Sequence, residues 1–418
     1  MLNAVGIAFL IVIFVNFFLE TMLSVLNLRY LKQNAGHLPS VLRDQIDLDT
    51  YNKSVRYNHD SGKFGMLETA VSLLLIIYFV YWGGFARIDA LARTIDPGGY
   101  YLPALIFGVS IFLIKLIIDV PFNIYNTFVI ENRYGFNKTT PKVYVADFFK
   151  SLIVSAFIGI PLYLGVLWFM AKAGDYWWLW CWCFIETLQA LLLIIFPVWI
   201  APLFNKFTPI AEGELKEKIL SLSKKAGFPS QGIFIMDGSK RSKHSNAYFT
   251  GLGKKKRIVL FDTLVEQMRL PQILAVLAHE FGHFRLHHIK KIFVINSIVF
   301  LAGLYVLSHL FRLEIFYHGF GFSHPSNYAA LIILGLSASS LSFLVTPIFS
   351  MISRRFEYQA DEFAIKNLEE PQAMPEVIAV LTKENLINVN PHPWYSFFHY
   401  SHPSPVERIN ALKRRLKS

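Results

Sequence analysis

The chain has 418 residues, with 40 Lys or Arg against 29 Asp or Glu, a formal net charge of +11. Only 17% are charged, against about 25% in an average soluble domain, and 54% are hydrophobic. This excludes a disordered chain, and a soluble globule of this size could not bury so much apolar surface, so an integral membrane protein remains.

Seven stretches are long and apolar enough to span a bilayer: about 4–28, 65–86, 102–122, 146–171, 176–203, 292–311 and 327–350. The first has no basic n-region and no A-x-A-like cleavage site, so it reads as a retained helix. The connecting segments alternate in charge. One side carries Arg29, Lys32, Arg43, Lys53, Arg56, Lys63, Arg133, Lys138, Lys142, the long 204–291 segment and the tail with Lys413, Arg414 and Arg415. The other carries Arg87, Arg93, Lys172 and Arg312. The positive-inside rule then puts the N-terminus outside and the C-terminus in the cytosol. No basic cluster on a soluble module calls for nucleic acid. Glu20, Glu68, Lys115, Asp119 and Glu186 fall at membrane depth or near an interface. Such groups either pair and snorkel near helix ends or face a wet cavity, and Lys115 and Asp119, four apart, share a helix face and can pair. Pro121, Pro161, Pro197 and Pro202 are expected to kink or end their helices. Cys181 and Cys183 point to different sides of a helix, so no mutual disulfide is expected.

The organisation expected is five membrane helices over 1–203, a cytosolic segment over 204–290, two more membrane helices over 291–350, and a cytosolic C-terminal part, 351–418. Within the polar segment, a charged helix runs from Gly213 to Lys225, closed by Gly227 and Pro229. Strands are expected over Gly232–Met236 and Lys256–Phe261, with Gly251 and Gly253 at the turn between them and a further extended piece at Asn246–Phe249. From Pro271 the pattern turns helical, with Ile273, Leu274, Leu277 and Phe281.

That helix carries His279-Glu-Phe-Gly-His283, an H-E-x-x-H pattern. Two His four apart share one face and grip one Zn²⁺, and Glu280 beside them can serve as general base. His287, His288, Lys290 and Lys291 follow as a basic helix end at the lipid headgroups. A third ligand is needed. The metzincin spacing would put Gly at 286 and His at 289, where Leu286 and Ile289 stand. Glu357, after the seventh span, is the better candidate. Asp361, four residues on and on the same face, would accept a ligand His N–H and fix its tautomer.

The chain resembles the type I CAAX prenyl proteases, integral membrane zinc metalloproteases of the gluzincin type, over essentially its whole length. The resemblance rests on Glu131-Asn-Arg-Tyr-Gly-Phe-Asn137, Pro202-Leu-Phe-Asn-Lys-Phe-Thr-Pro209, Ser242-Lys-His-Ser-Asn-Ala-Tyr-Phe249, His279–His283, Ser353-Arg-Arg-Phe-Glu-Tyr-Gln-Ala-Asp361 and Ser401-His-Pro-Ser-Pro-Val-Glu-Arg408. It implies an all-α polytopic membrane protein, seven transmembrane helices around a large chamber, with a small α+β zinc metalloprotease domain on the cytosolic face. It implies one Zn²⁺ on His279, His283 and Glu357, with Glu280 as general base. Asn246 would bind substrate backbone, and His402 and Arg408 would hold the oxyanion and support the site. Substrates would be prenylated CAAX-type or other membrane-associated peptides, met at the bilayer by a monomer. Eukaryotic members tend to be longer with retrieval signals, and the Arg415–Ser418 end does not fit a dilysine signal. A bacterial inner membrane is therefore expected rather than the endoplasmic reticulum, and with it an alternative role as a quality-control protease without a prenyl requirement. A site-2 type intramembrane protease would need the motif inside a span and an L-D-G ligand segment, and this chain has neither. A non-enzymatic transporter or scaffold would bind no metal.

Overall fold

The computed structural model describes residues 3–251 and 256–417, so Gly253 and Ser418 lie outside the described residues. Five long helices come first: α1 (Ala4–Gln33), α2 (Leu48–Tyr81), α3 (Tyr101–Tyr125), α4 (Pro141–Lys172) and α5 (Trp177–Ile195). Then follow α6 (Glu214–Lys225), α7 (Leu270–Arg285), α8 (His288–Leu310), α9 (Asn327–Asn367), α10 (Ala373–Glu384) and α11 (Pro405–Arg415). Six helical stretches of the described residues meet the length and hydropathy of a span. A seventh arises if Asn327–Leu336 and Ser340–Asn367, bent by 47°, count as one.

Caps decide where several of these helices start. The Asn3 side chain accepts hydrogen bonds from the Val5 and Gly6 N–H groups, and Asp47 accepts from Thr50 at 2.8 Å. The second helix therefore begins well before the apolar stretch expected from 65. Its polar first half holds because Tyr51 and Val55 pack into the soluble core. Pro121 and Pro161 lie inside continuous helices, and Pro197 lies in a π-helical turn, Phe196–Ile200. A second π turn, Asn126–Glu131, lies within the third span, which runs on to Tyr134.

The spans touch one another little. Between 6% and 22% of the most apolar window of each of the six is buried. A close-packed bundle would bury far more, so the helices stand apart around space. Two aromatic clusters tie them together, one around Phe107, Tyr317, Phe320 and Tyr328 and one around Trp177, Cys181 and Leu304. Glu20 and Glu68 line a cavity of about 650 Å³ between α1 and α2, with Asn16, Asn27, His399 and Tyr400 on its wall. Lys115 Nζ donates to Asp119 Oδ2 at 2.6 Å. Glu186 differs from these: one of its carboxylate oxygens is buried with no hydrogen bond.

The soluble part holds a four-stranded sheet in the order β1-β2-β4-β3. Its strands are β1 (Phe207–Pro209), β2 (Ser230–Met236), β3 (Ala247–Thr250) and β4 (Lys256–Phe261). The two central strands are parallel and the outer ones antiparallel to them. The strand after Asn246 is thus an edge strand. Inside the sheet face, Ile233, Ile258 and Leu260 pack with Leu277 and Phe281 of α7 and with Ala364 of α9. The same core takes in Leu42 from the connection between the first two spans, Tyr51 from the start of α2, and Ile409 and Leu412 from the C-terminal helix.

The seventh membrane helix does not stop at the apolar boundary near 350. It runs on to Asn367, because its buried residues Ala360 and Ala364 lie against α7. The contact is close: a Cβ at Gly282 would meet Ala360 Cα at 2.9 Å and the Ala360 carbonyl oxygen at 3.1 Å. Gly282→Ala would gain up to about 1 kcal/mol of helix propensity but overpack a backbone contact at about 1–3 kcal/mol. The variant is expected to melt lower and to retain less metal per chain by elemental analysis, because α7 and α9 are forced apart. An unchanged melting temperature and metal content would remove this contact as a constraint on the site.

Candidate metal centre

The H-E-x-x-H helix starts with Pro271 in its first turn, where a missing N–H costs nothing, and Gln272 accepts the Arg269 N–H at 3.1 Å. Ile273, Leu277 and Phe281 bury one stripe in the core. His279 and His283, four apart, project toward α9, where Glu357 meets them.

The geometry is tight. His279 Nε2 and His283 Nε2 stand 3.1 Å apart. Glu357 Oε2 is 3.3 Å from the first and Oε1 is 3.2 Å from the second. One ligand atom from each residue lies within 4.8 Å of the others. Glu357 is buried, and its Oε2 accepts no hydrogen bond. Two imidazole nitrogens aimed at each other and an orphaned carboxylate oxygen are the donor set of a borderline divalent cation with one position left open. The residues therefore fit a metal ion.

Other groups fix these three. His279 Nδ1 is 2.8 Å from Asp361 Oδ1, so the N–H on that side donates to the carboxylate and Nε2 is left as a lone pair. Arg408 forks onto the same carboxylate, Nη2 to Oδ1 at 2.6 Å and Nε to Oδ2 at 2.9 Å. Its helix is held by a capping box in which Ser404 and Glu407 exchange hydrogen bonds. Burial alone would lower the His279 pKa, but Asp361 and Glu357 outweigh it and raise it to about 9. A cation on Nε2 would take the place of that proton. Burial pushes the Glu280 carboxyl above its ordinary value.

His402, on the segment before α11, reaches the same point, its Nε2 3.3 Å from Glu357 Oε1, with most of its side chain exposed. Asn246 lies just before the edge strand. Its Oδ1 accepts the Ala247 N–H at 2.8 Å and its main-chain carbonyl accepts from Phe261 N at 3.0 Å. The amide NH₂ has no partner among the described residues. Phe249 stacks on Phe281 at 4.8 Å, so this edge runs beside the motif helix. The Glu131 block serves this neighbourhood. Tyr57 donates to Glu131 at 2.7 Å, His244 Nε2 is 3.4 Å from Glu131, and His244 stacks on Phe136 at 4.1 Å.

One sequence expectation needs correcting. His288 is not a headgroup residue: it is 1% exposed, behind His283, with Nδ1 3.1 Å from His283 Nδ1 and Nε2 2.9 Å from Gln359 Oε1. A residue five after His283 would not share its face on one continuous helix. The chain breaks at His287, in the left-handed region with φ 59°, and turns His288 back underneath. Nothing in the spacing signals that break.

Comparison with known proteins agrees over the whole length. Residues 27–206 match the CAAX prenyl protease N-terminal family, described as five membrane helices, and residues 209–416 match peptidase family M48. The chain is 37% identical to a CAAX prenyl protease 1 homolog of Arabidopsis thaliana, covering 97% of this chain and 96% of that one. It is 36% identical to CAAX prenyl protease 1 of Saccharomyces cerevisiae, covering 92% and 90%. The crystal structure of S. mikatae Ste24p superposes with a TM-score of 0.91 at 35% identity, covering 99% of this chain and all of that one. With identity at this level along nearly every residue, the chain belongs to the CAAX prenyl protease 1 family of M48 peptidases and is a multi-pass membrane metalloprotease.

Proposed function

We propose that the protein is a zinc endopeptidase that cuts membrane-associated peptides near their C-terminus, prenylated CAAX-type peptides among them. The observation that carries this is the convergence of His279, His283 and Glu357 on one point beside a base and an open edge strand. The names of the relatives support the substrate class. His279, His283 and Glu357 would hold the zinc, which when bound would supply Lewis acidity at the scissile carbonyl and water.

The chain's own groups do the rest. Glu280 takes the proton of the attacking water and delivers it to the departing amine. His402 Nε2, exposed next to the ligand set, donates to the oxygen on which negative charge develops. Arg408 keeps Asp361 charged and aligned, so that His279 keeps its tautomer. An extended peptide adds to the free edge of β3 and receives the Asn246 amide N–H on its backbone. The site faces the cytosol, on the side of Lys138, Lys142 and the basic tail.

The direct test is cleavage of a prenylated CAAX peptide by the purified protein, lost with a chelator and restored by zinc. Failure of the zinc-loaded protein to cut any such peptide would overturn the reading. Glu357→Ala is expected to lose bound zinc, whereas Glu280→Gln keeps it and slows turnover by about 10²–10⁴-fold. Stoichiometric zinc in Glu357→Ala would refute the ligand assignment. Asn246→Ala, which removes one hydrogen bond to substrate, should lower kcat/KM roughly two- to tenfold with zinc content unchanged. A peptide bound elsewhere in a co-structure would remove the edge-strand role.

A further inference from the structure

The geometry points to His288 and Gln359 as a proton-order relay that sets the tautomer of His283 for metal binding. The inference rests on the zinc reading above. His283 Nδ1 faces His288 Nδ1 at 3.1 Å, and His288 Nε2 faces Gln359 Oε1 at 2.9 Å. Gln359 Oε1 only accepts, so His288 carries its proton on Nε2. His288 Nδ1 is then a lone pair, and His283 must donate to it from Nδ1. That leaves the His283 lone pair on Nε2, the atom 3.2 Å from Glu357 Oε1 and 3.1 Å from His279 Nε2. The opposite order, with the Gln359 amide reversed, would put a proton on His283 Nε2 and block a cation there.

This arrangement is built, not incidental. His288 is buried and its ring lies on Phe356 at 4.1 Å and 7°. Phe356 and Gln359, three apart on α9, hold it from one stripe of that helix. Glu357 and Asp361, four apart, serve the ligand site from the neighbouring stripe. His287 keeps a backbone conformation unfavourable for a β-carbon so that His288 can sit there. The two ligand histidines thus have different supports: a charged Asp361–Arg408 pair behind His279 and a neutral His288–Gln359 pair behind His283. The neutral pair adds no third negative charge to a site that already buries Glu357 and Asp361.

The role is that of positioning residues, and zinc affinity reads it without recourse to turnover. The full-length protein in detergent is titrated with zinc against a competing chelator, and the melting temperature of the metal-free form is measured alongside. His288→Phe and Gln359→Leu are expected to weaken zinc by about 10–100-fold, while His288→Asn, which returns an acceptor near the Nδ1 position, stays within about threefold of wild type. Melting of the metal-free protein should be the same for His288→Phe and His288→Asn. If His288→Phe does not fold, Gln359→Leu decides alone. Wild-type affinity in both, or an equal loss in His288→Phe and His288→Asn, overturns the relay and leaves the zinc site standing. A wild-type protein that takes up no zinc overturns both.

Discussion

A buried carboxylate aimed at imidazole nitrogens governs this molecule. Glu357 lies out of water, with His279, His283 and His402 all within 3.3 Å and the Arg408 guanidinium at 3.7 Å. An uncompensated charge in such a place costs about 3–5 kcal/mol. The surrounding groups compensate it and arrange every other lone pair toward the same point. Gly282 lets the motif helix come down on α9, the Ser404–Glu407 cap starts the helix that brings Arg408, and the His287 turn delivers His288 from below. Removing any of these supports would shift His279, His283 or Glu357 without changing those residues themselves.

The sequence disclosed the parts of this site that obey helical spacing. His279 and His283, and Glu357 and Asp361, are four-residue pairs on one face each, and the metal chemistry follows from residue type. His402 and Arg408 have no spacing relation to either helix, so only the family resemblance pointed to them. His288 was out of reach, because its place depends on one backbone angle at His287. The helix ends were misjudged for a related reason. Hydropathy detects lipid-facing turns, whereas the first half of α2 and the last third of α9 are polar turns held by packing on protein. The strand at Phe207–Pro209 is too short, and ends in a proline, for any periodicity to appear.

Order along the chain also conceals how the protease part is assembled. Its core draws on residues from Leu38 to Val55, from Ile210 to Phe281 and from Ala364 to Leu412. Each piece is separated from the next by membrane helices. The soluble core is therefore closed only when the membrane helices bring its three pieces together. This gives a structural role to the blocks Glu131–Asn137 and Ser242–Phe249 in the connecting loops. The bridge between Asn137 and Ser242, and the ion pair of Arg241 with Asp147 at 2.8 Å, fasten the membrane helices to the loop before Asn246.

The passage of α9 beyond its 47° bend, from Ser340 in the apolar stretch to Asn367, has a further consequence. A catalytic group on a loop could rise and fall relative to the lipid, but Glu357 stands on the same rod as the span. Seven residues separate it from the apolar boundary at 350, about 10 Å at 1.5 Å per residue. The helix thus acts as a gauge. It fixes the height above the bilayer at which a peptide bond is presented, and an extended chain covers that height in about three residues. For a peptide anchored in that bilayer, such a fixed height would set the distance from the membrane at which the bond to be cut must lie.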